Sequence, residues 1–287
     1  MQSLLNIFSL SASYVCFAIG LSLVFGVMRV INFAHGDFYM IGAYLTMVSL
    51  TLLEPQLGIG GAYAVGCLAA AAIMGLMGVA LNASIVKPLS DRPLSIFVAT
   101  LAFSYILQFI VVQVFGPVGQ SVRSPLPGIY SIDDSIIPRQ RVVVIGVAVF
   151  IVCLTWYLLQ HTRTGRAIRA VSQNSRGAML QGISVRKMGA LALVVGSMLA
   201  GLAGAAMAPV AGVNPFMGVD TLWKAFIVII VGGIGSIWGS VAAAIIFGTF
   251  DTLISSAGYG RLLALFDALI MLAVLAIKPS GLFGERD

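Results

Sequence analysis

Residues 3–28 read SLLNIFSLSASYVCFAIGLSLVFGVM, a run of 26 residues without one charged side chain. About 20 mostly apolar residues are enough for a helix to cross the hydrocarbon core of a bilayer. Eight further apolar runs follow, at 37–53, 61–82, 94–116, 142–160, 188–211, 221–234, 238–257 and 262–277. These runs are continuous rather than alternating, which is typical of bundle helices and not of membrane β-strands. The sequence therefore predicts an all-α polytopic membrane bundle with about nine transmembrane helices, within a range of eight to ten.

The composition of the chain supports this prediction. Of the 287 residues, 60% are hydrophobic and 9% are charged, whereas charged residues make up about a quarter of an ordinary soluble domain. This excludes the soluble globular, disordered, coiled-coil and disulfide-scaffold classes. The two longest polar stretches, 117–141 and 161–187, are too short for a separate domain. We therefore expect a single transmembrane domain over 1–287, with one outer and one inner polar loop.

The distribution of Lys and Arg predicts the orientation, because basic loops are retained on the cytoplasmic side. If the loop at 161–187 is cytoplasmic, eleven of the 16 basic residues lie inside. Lys224 lies within or beside a span, and four arginines remain outside, namely Arg123, Arg139, Arg141 and Arg261. The first run lacks the basic front of a secretory signal peptide, so we expect it to stay in the membrane. The N-terminus is then outside and the C-terminus inside.

Two polar or glycine-rich segments interrupt apolar runs in the middle. The first reads NFAHGD at 32–37, and the second reads GGIGSIWG at 232–239. Interrupted helices are the best sequence indication of a transport site, because their freed backbone groups must face a cavity or protein. The candidate pathway residues are Asn32, His35, Gly36, Asp37, Gly232, Gly233, Gly235 and Ser236. Tight turns at the membrane surface explain both breaks equally well.

Local chemistry predicts how each break is built. Gly36 is suited to end a helix in a left-handed conformation, and Asp37 is suited to cap the next helix. Gly235 and Ser236 stand in the same relation, which weakly indicates an internal repeat. For His35, a capped or hydrogen-bonded role near the interface is favoured over a proton relay.

Other polar residues in the apolar runs are less informative. The side chains in question are Gln108, Gln113, Asp251 and Asp267. An ionisable group in a span is a functional candidate because burying its charge is costly, but a hydrogen bond to a neighbouring helix is the favoured interpretation here. The three cysteines, Cys16, Cys67 and Cys153, have unrelated spacings and predict neither a metal site nor a redox pair.

The inner loop combines basic residues with a short apolar segment. Arg163, Arg166 and Arg169 have a spacing of three, which puts them on one face of a helix that extends the fifth span. Asn174 or Ser175 can cap a second helix of about two turns that Gly182 ends. Its apolar residues Ala178, Met179 and Ile183 are available to contact a partner. Positive-inside retention, anionic lipid and a docked cytoplasmic subunit are the three explanations; nucleic-acid binding is disfavoured.

The sequence contains no motif for chemistry of its own. None of the four lysines is followed by Ser or Thr, so the phosphate-binding loop of an ATPase is absent. No pattern for intramembrane hydrolysis occurs either. We therefore expect no catalytic residue, no metal and no cofactor in this chain, and any ATP must be bound and hydrolysed by another subunit.

Taken together, several motifs resemble the LivH-type permease of bacterial branched-chain amino acid ABC importers. They are NFAHGDFYMIGAY at 32–44, TGRAIRA at 164–170 with Gly182-Ile183, VNP at 213–215, GGIGS at 232–236 and KPSGLFG at 278–284. The resemblance extends almost from end to end. It implies a multi-pass permease in the bacterial inner membrane, paired with a LivM-like second permease, two cytoplasmic ATPase subunits and a periplasmic solute-binding protein, with membrane lipid around it.

The resemblance also implies a mechanism. The loop at 161–187 is then the coupling element for the ATPases, through Arg163, Arg166, Arg169, Ala178 and Gly182, and ATPase closure drives alternating access. One departure concerns Gln173 and Asn174, where relatives often carry acidic residues. Urea and short amides are alternative substrates on the same scaffold. A stand-alone proton-coupled transporter that uses Asp251, Asp267 or His35 is the rival hypothesis.

Overall fold

The computed structural model describes residues 2–132 and 135–283. Gly284 and Arg286, which the sequence assigned to a motif and to the inner side, lie outside these residues. The α-helices are α1 (Gln2–Met28), α2 (Ala34–Leu81), α3 (Pro93–Phe115), α4 (Arg139–His161), α5 (Arg163–Gln173), α6 (Ser175–Leu180), α7 (Val185–Ala211), α8 (Met217–Gly232), α9 (Ile237–Ser256) and α10 (Leu263–Ile277). A π-helical turn (Asn82–Val86) follows α2, and a 3-10 turn (Gly260–Leu262) precedes α10.

The prediction of a helical membrane bundle is confirmed. Within the described ranges, seven helices are long and apolar enough to cross a membrane. All nine apolar runs of the sequence overlap helices, and two of them, 37–53 and 61–82, share α2. The outer loop contains one element that the sequence did not predict, an antiparallel hairpin of β1 (Ile129–Ile132) and β2 (Ser135–Pro138).

Helix α2 reverses direction at Gly58, which has a non-helical φ of 69° and ψ of 165°. A Cβ added to Gly66 would lie 3.0 Å from Thr46 Cα. In a straight helix these two residues would be roughly 30 Å apart. The two halves of α2 therefore pack against each other as a helical hairpin, which explains why two apolar runs share one element.

The core of the bundle forms around α1. Between Val15 and Val24 its side chains are almost completely buried, against α4, α7, α8 and α9. Small residues let the helices approach closely: a Cβ on Gly42 would lie 2.2 Å from the carbonyl oxygen of Gly201 on α7. By contrast, Asp267 is the one buried residue of α10, so the last helix is held at the edge of the bundle.

Candidate functional site

The first break in the bundle lies at residues 29–33, between α1 and α2. Arg29 has a left-handed φ of 52°, and α2 begins at Ala34. Gly36 and Asp37 therefore lie in the first helical turn, and the prediction that they end one helix and cap the next is wrong. The physical reason is that the side chains of Asn32 and Thr100 already accept hydrogen bonds from the N–H groups at the start of α2.

Two side chains build this first break. Asn32 Oδ1 accepts a hydrogen bond from the backbone N–H of Ala34 at 3.2 Å, in the local turn typical of asparagine. Phe33 N donates to Thr100 Oγ1 on α3 at 3.3 Å. These contacts replace intrahelical partners that the first N–H groups of a helix lack.

The start of α2 lies level with the middle of α1. The rings of His35 and Phe17 are 5.2 Å apart, and a Cβ on Gly20 would lie 3.4 Å from His35 Nε2. Phe17 precedes Met28, the last residue of α1, by eleven positions, or about 16 Å along the helix. Residues 29–33 therefore turn back into the bundle, and the first break is internal rather than a turn at the bundle end.

Polar groups at this internal break are buried but only partly hydrogen-bonded. Asp37 is 1% exposed, and its Oδ1 accepts from Gln108 Nε2 at 3.0 Å. Gln108 also donates to Ser104 Oγ at 3.0 Å. Within the described chain, Asp37 Oδ2, Asn32 Nδ2 and both ring nitrogens of His35 have no partner. Since buried polar atoms are normally satisfied, these unpartnered atoms make the internal break a candidate site for water or a polar solute.

Glycines bring α8 into backbone contact with α2 beside these polar groups. A Cβ on Gly36 would lie 2.3 Å from the carbonyl oxygen of Gly218, and a Cβ on Gly218 would lie 2.4 Å from that of Gly36. Neither position has room for a side chain. The sequence did not single out Gly218, because a lone glycine at a helix start is also compatible with a simple turn.

The second break joins α8 to α9. Gly233 and Gly235 have φ values of 103° and 79°, and Ser236 Oγ accepts from Gly239 N at 3.0 Å. The predicted left-handed glycine followed by a cap residue is confirmed at this break. Because Gly36 is helical and Gly235 is not, the local geometry of the two breaks differs.

This second break is a turn at one end of the bundle. A Cβ on Gly26, near the end of α1, would lie 2.6 Å from Gly235 Cα. The C-terminal segment packs on the same place, where Phe283 N donates to the carbonyl oxygen of Gly232 at 3.0 Å. Of the two interpretations left open by the sequence, the turn applies here.

The basic inner loop forms two separate helices. Thr162 interrupts the chain with extended backbone and caps α5 by accepting from Gly165 N at 2.9 Å. The prediction that α5 extends the fifth span is therefore wrong. The cause is Gly165, where a Cβ would lie 2.0 Å from the carbonyl oxygen of Leu158, so α5 folds tightly against the end of α4. Arg163 and Arg166 are exposed on α5, and Arg169 is half-buried.

The second helix of the loop matches its prediction in outline. Asn174 Oδ1 accepts from Gly177 N at 2.9 Å and caps α6, and Gly182 follows the helix with a φ of 77°. Ala178, however, is 4% exposed and packs on the bundle, whereas Leu180 is 88% exposed. Ala178 is therefore not available to a partner, and Met179 and Leu180 form the free apolar face.

A buried ionic cluster links four helices. Lys224 Nζ on α8 lies 2.6 Å from Asp251 Oδ2 on α9 and 2.6 Å from Asp267 Oδ2 on α10. Tyr14 on α1 donates its hydroxyl hydrogen to Asp251 Oδ2 at 2.5 Å. This geometry agrees with the prediction that Asp251 and Asp267 bond to neighbouring helices. The pairing with Lys224 was missed, although single charges in three successive spans are a signal for it.

The sequence as a whole is similar to a known protein family. The family model described as branched-chain amino acid transport system / permease component matches residues 3–277. The chain belongs to this family. The match runs from α1 to the end of α10, so the permease family covers the entire helical bundle.

Individual permeases also match over the full length of the chain. LivH, the high-affinity branched-chain amino acid transport system permease protein of Escherichia coli, is 29% identical over 298 residues, with 100% of this chain and 96% of LivH covered. LivH of Salmonella typhimurium gives the same values. BraD of Pseudomonas aeruginosa is 28% identical over 300 residues, with 100% and 96% covered. This chain is therefore a permease component and a multi-pass membrane protein.

The motifs that resemble those of the permease family lie at the helix breaks and at close backbone contacts. The segment at 32–44 forms the internal break and the start of α2. The segments at 232–236 and 278–283 pack on each other, since Leu282 N donates to the carbonyl oxygen of Val231 at 2.7 Å. Val213 pairs with Gln120 through two backbone hydrogen bonds of 2.8 and 2.9 Å, which ties the outer loop to the end of α7.

Proposed function

We propose that this chain is the transmembrane permease subunit of an ABC importer for branched-chain or related amino acids, in a bacterial inner membrane. Its role is alternating access, driven by ATP that separate subunits bind and hydrolyse. The observation that carries the proposal is the match over the whole chain to LivH and BraD permeases, all of which are named for branched-chain amino acid transport.

We propose nine transmembrane helices, with the N-terminus outside and the C-terminus inside, and the contacts at the two ends of the bundle support this orientation. Arg29 Nη2 donates to the backbone oxygen of Ser172 at 3.5 Å, so the end of α1 and the basic loop lie together. At the opposite end, Arg141 donates to Asn6 Oδ1 at 2.8 Å, and Arg123 to Glu54 at 2.7 Å. Under the positive-inside rule, the end that holds most basic residues is cytoplasmic.

The proposed pathway passes the internal break. Asn32, His35 and Asp37 present buried polar atoms without partners in the described chain, which water or the charged ends of an amino acid can satisfy. Gly36 permits α2 to lie directly on α8, so a small shift of either helix changes the space beside these groups. We propose that α8 moves during transport and that the turn of Gly232, Gly233, Gly235 and Ser236 is its cytoplasmic end.

The proposed connection to the ATPases is the segment of α5 and α6. Arg163, Arg166 and Arg169 supply its charge, and Met179 and Leu180 supply exposed apolar area. A helix of six residues is too short to be stable alone, and the cap at Asn174 together with buried Ala178 holds it against the bundle. Gly182 then lets the chain turn into α7. A displacement of α6 by a docked subunit would therefore also move this long helix.

The full assembly that we propose contains a LivM-like second permease, two cytoplasmic ATPases and a periplasmic solute-binding protein. The outer loop, with its hairpin of β1 and β2, is the proposed contact for the binding protein, because it is the largest polar segment on that side.

The experiment is purification of the tagged chain in mild detergent, identification of the copurifying subunits, and reconstitution with the binding protein. We expect a second permease and ATPases, and ATP-dependent uptake of leucine, isoleucine or valine. Uptake of urea or a short amide in place of these amino acids would assign the alternative substrate. Uptake that persists without any ATPase and collapses with an uncoupler would refute the proposal in favour of a proton-coupled transporter.

A further inference from the structure

A cavity of about 430 Å³ opens at the end of the bundle that holds Arg29. It lies between the last turn of α1, the π-helical turn, the start of α3 and the start of α7. Its walls are largely apolar and include Val27, Val86, Ile96 and Val185. We call it the basic cavity because of the side chains around its mouth.

The mouth of the basic cavity carries three cations and one carboxylate, namely Lys87, Arg186, Lys187 and Asp91. Arg186 lies 3.8 Å from Asp91, with both side chains largely exposed at 75% and 89%, so this pair is weak. Lys87 and Lys187 form no ion pair among the residues that the structure describes. The mouth therefore has a formal charge of +2, from three cations and one anion, and two lysines remain free for a ligand.

Two helix starts add to this positive potential. Helix α7 begins at Val185, where Ser184 caps it, and its first residues line the cavity. Helix α3 begins at Pro93, and Ile96 of its first turn lines the opposite wall. Helix N-termini attract anions through their free N–H groups and their dipoles.

We propose that the basic cavity binds one anionic phospholipid, with the phosphate at the lysines and the glycerol and upper acyl chains along the apolar walls. Basic pockets between transmembrane helices on the cytoplasmic side are typical sites for such headgroups. The combination of an apolar interior and a cationic mouth favours a lipid over a small soluble anion, which would leave the walls unoccupied. The bound lipid would brace the start of α7 next to α6.

The test uses the full chain, purified with its accompanying subunits, and phosphatidylglycerol with a photoreactive acyl chain. We expect labelling of the peptides that contain Val86, Ile96 and Val185, and several-fold weaker labelling by the corresponding phosphatidylcholine. The double variant Lys87→Gln, Lys187→Gln should weaken binding about 30-fold, since each basic residue near a membrane surface contributes roughly fivefold. Both lysines are exposed, so these changes should leave the fold intact.

The matched control is Arg163→Gln with Arg166→Gln, which removes the same charge at the same end but outside the cavity. We expect this control to retain labelling, and Ala190→Phe, which narrows the cavity without a change of charge, to lose it. Equal labelling by both lipids, or equal loss in the control, would overturn the proposal in favour of diffuse attraction. Complete protection by inorganic phosphate would overturn it in favour of a phosphate site.

Discussion

At Gly36 two helices are in contact through their backbones, and this contact can be tested with one methyl group. In Gly36→Ala the added Cβ would lie 2.3 Å from the carbonyl oxygen of Gly218. We expect destabilisation of about 1–3 kcal/mol from overpacking, measured as a lower unfolding temperature in detergent.

The control is Gly60→Ala, where nothing lies within 4 Å of the added Cβ. This change should leave the unfolding temperature unchanged or raise it slightly, because alanine restricts the unfolded chain. Equal stability of the Gly36 and Gly60 variants would mean that α2 and α8 are not in backbone contact.

Two glutamines on α3 differ in burial, and comparing them tests the hydrogen bond between Gln108 and Asp37. Gln108 is 5% exposed and donates to Asp37, whereas Gln113 is exposed. In Gln108→Leu, Asp37 Oδ1 loses its described donor, and we expect a loss of about 1–3 kcal/mol. Gln113→Leu should cost little. The measurement is thermal unfolding of both variants in parallel, and a similar response of the two would argue against the Asp37–Gln108 contact.

At this scale the sequence identified the polar residues but not their partners. Asn32, His35 and Asp37 stood out because polar groups are rare in apolar runs. Their partners Thr100, Ser104 and Gln108 lie on α3, and sequence spacing carries no information on which helices are neighbours. For the same reason the expected cap at Asp37 was wrong: Asn32 and Thr100 already satisfy the local N–H groups.

At the scale of whole elements, α10 depends on the ionic cluster. The Lys224 side chain is 14% exposed, and its single positive charge lies between the carboxylates of two buried aspartates. In Lys224→Met both carboxylates would remain buried without their cation, which costs about 3–5 kcal/mol. We expect a marked fall in the yield of monodisperse protein and in its unfolding temperature.

The triple variant Lys224→Met, Asp251→Asn and Asp267→Asn removes all three charges together. It should recover most of the lost stability, because an uncharged group has no comparable desolvation cost. A triple variant as unstable as the single one would show that Lys224 acts through packing rather than through charge.

The short helix α6 has an exposed apolar tip that can be tested separately from its anchor. Leu180 is 88% exposed, so Leu180→Asp should leave insertion and folding intact. If α6 contacts the ATPases, this change should uncouple ATP hydrolysis from uptake by tenfold or more, on the basis that removing a central contact costs over about 1.4 kcal/mol. ATPase activity and uptake are measured in the same proteoliposomes.

Gln181→Asp is the control, since it places the same charge on the neighbouring exposed residue without removing an apolar contact. It should retain coupling within about twofold, in keeping with the small effect of most contacts around a hot spot. Normal transport by the Leu180 variant would assign α6 a role other than subunit contact. A bulky residue at Ala178 would act differently, because that buried side chain packs on the bundle and its enlargement would dislodge α6.

For the whole molecule, the orientation predicts which loops face which side. The background is Cys16→Ala, Cys67→Ala and Cys153→Ala, which removes all three free thiols. A cysteine at Leu126 in the outer loop should react with an impermeant maleimide in intact cells. A cysteine at Leu180 should react only in inverted vesicles. The reverse pattern would place the basic loop outside and exclude an ATPase contact through it.

The sequence alone determined the class of this protein. Repeated uncharged apolar runs of about 20 residues predict helices that cross a bilayer, the unequal Lys and Arg content of the loops predicts an orientation, and motifs such as NFAHGD resemble those of permeases. These conclusions depend on composition and local order, which the linear chain contains in full. The outer hairpin is an exception at the local level, since its strands are too short to give a pattern.

Only the tertiary structure decided how deep each break lies and which groups meet there. Residues 32–37 and 232–239 both interrupt apolar runs of the sequence, yet the first lies beside Phe17 within the bundle and the second at its end beside Gly26. The tertiary structure likewise paired Lys224 with two aspartates and buried Ala178 while it exposed Leu180. Depth and pairing depend on which helices are neighbours, and close packing between small residues far apart in the chain determines that arrangement.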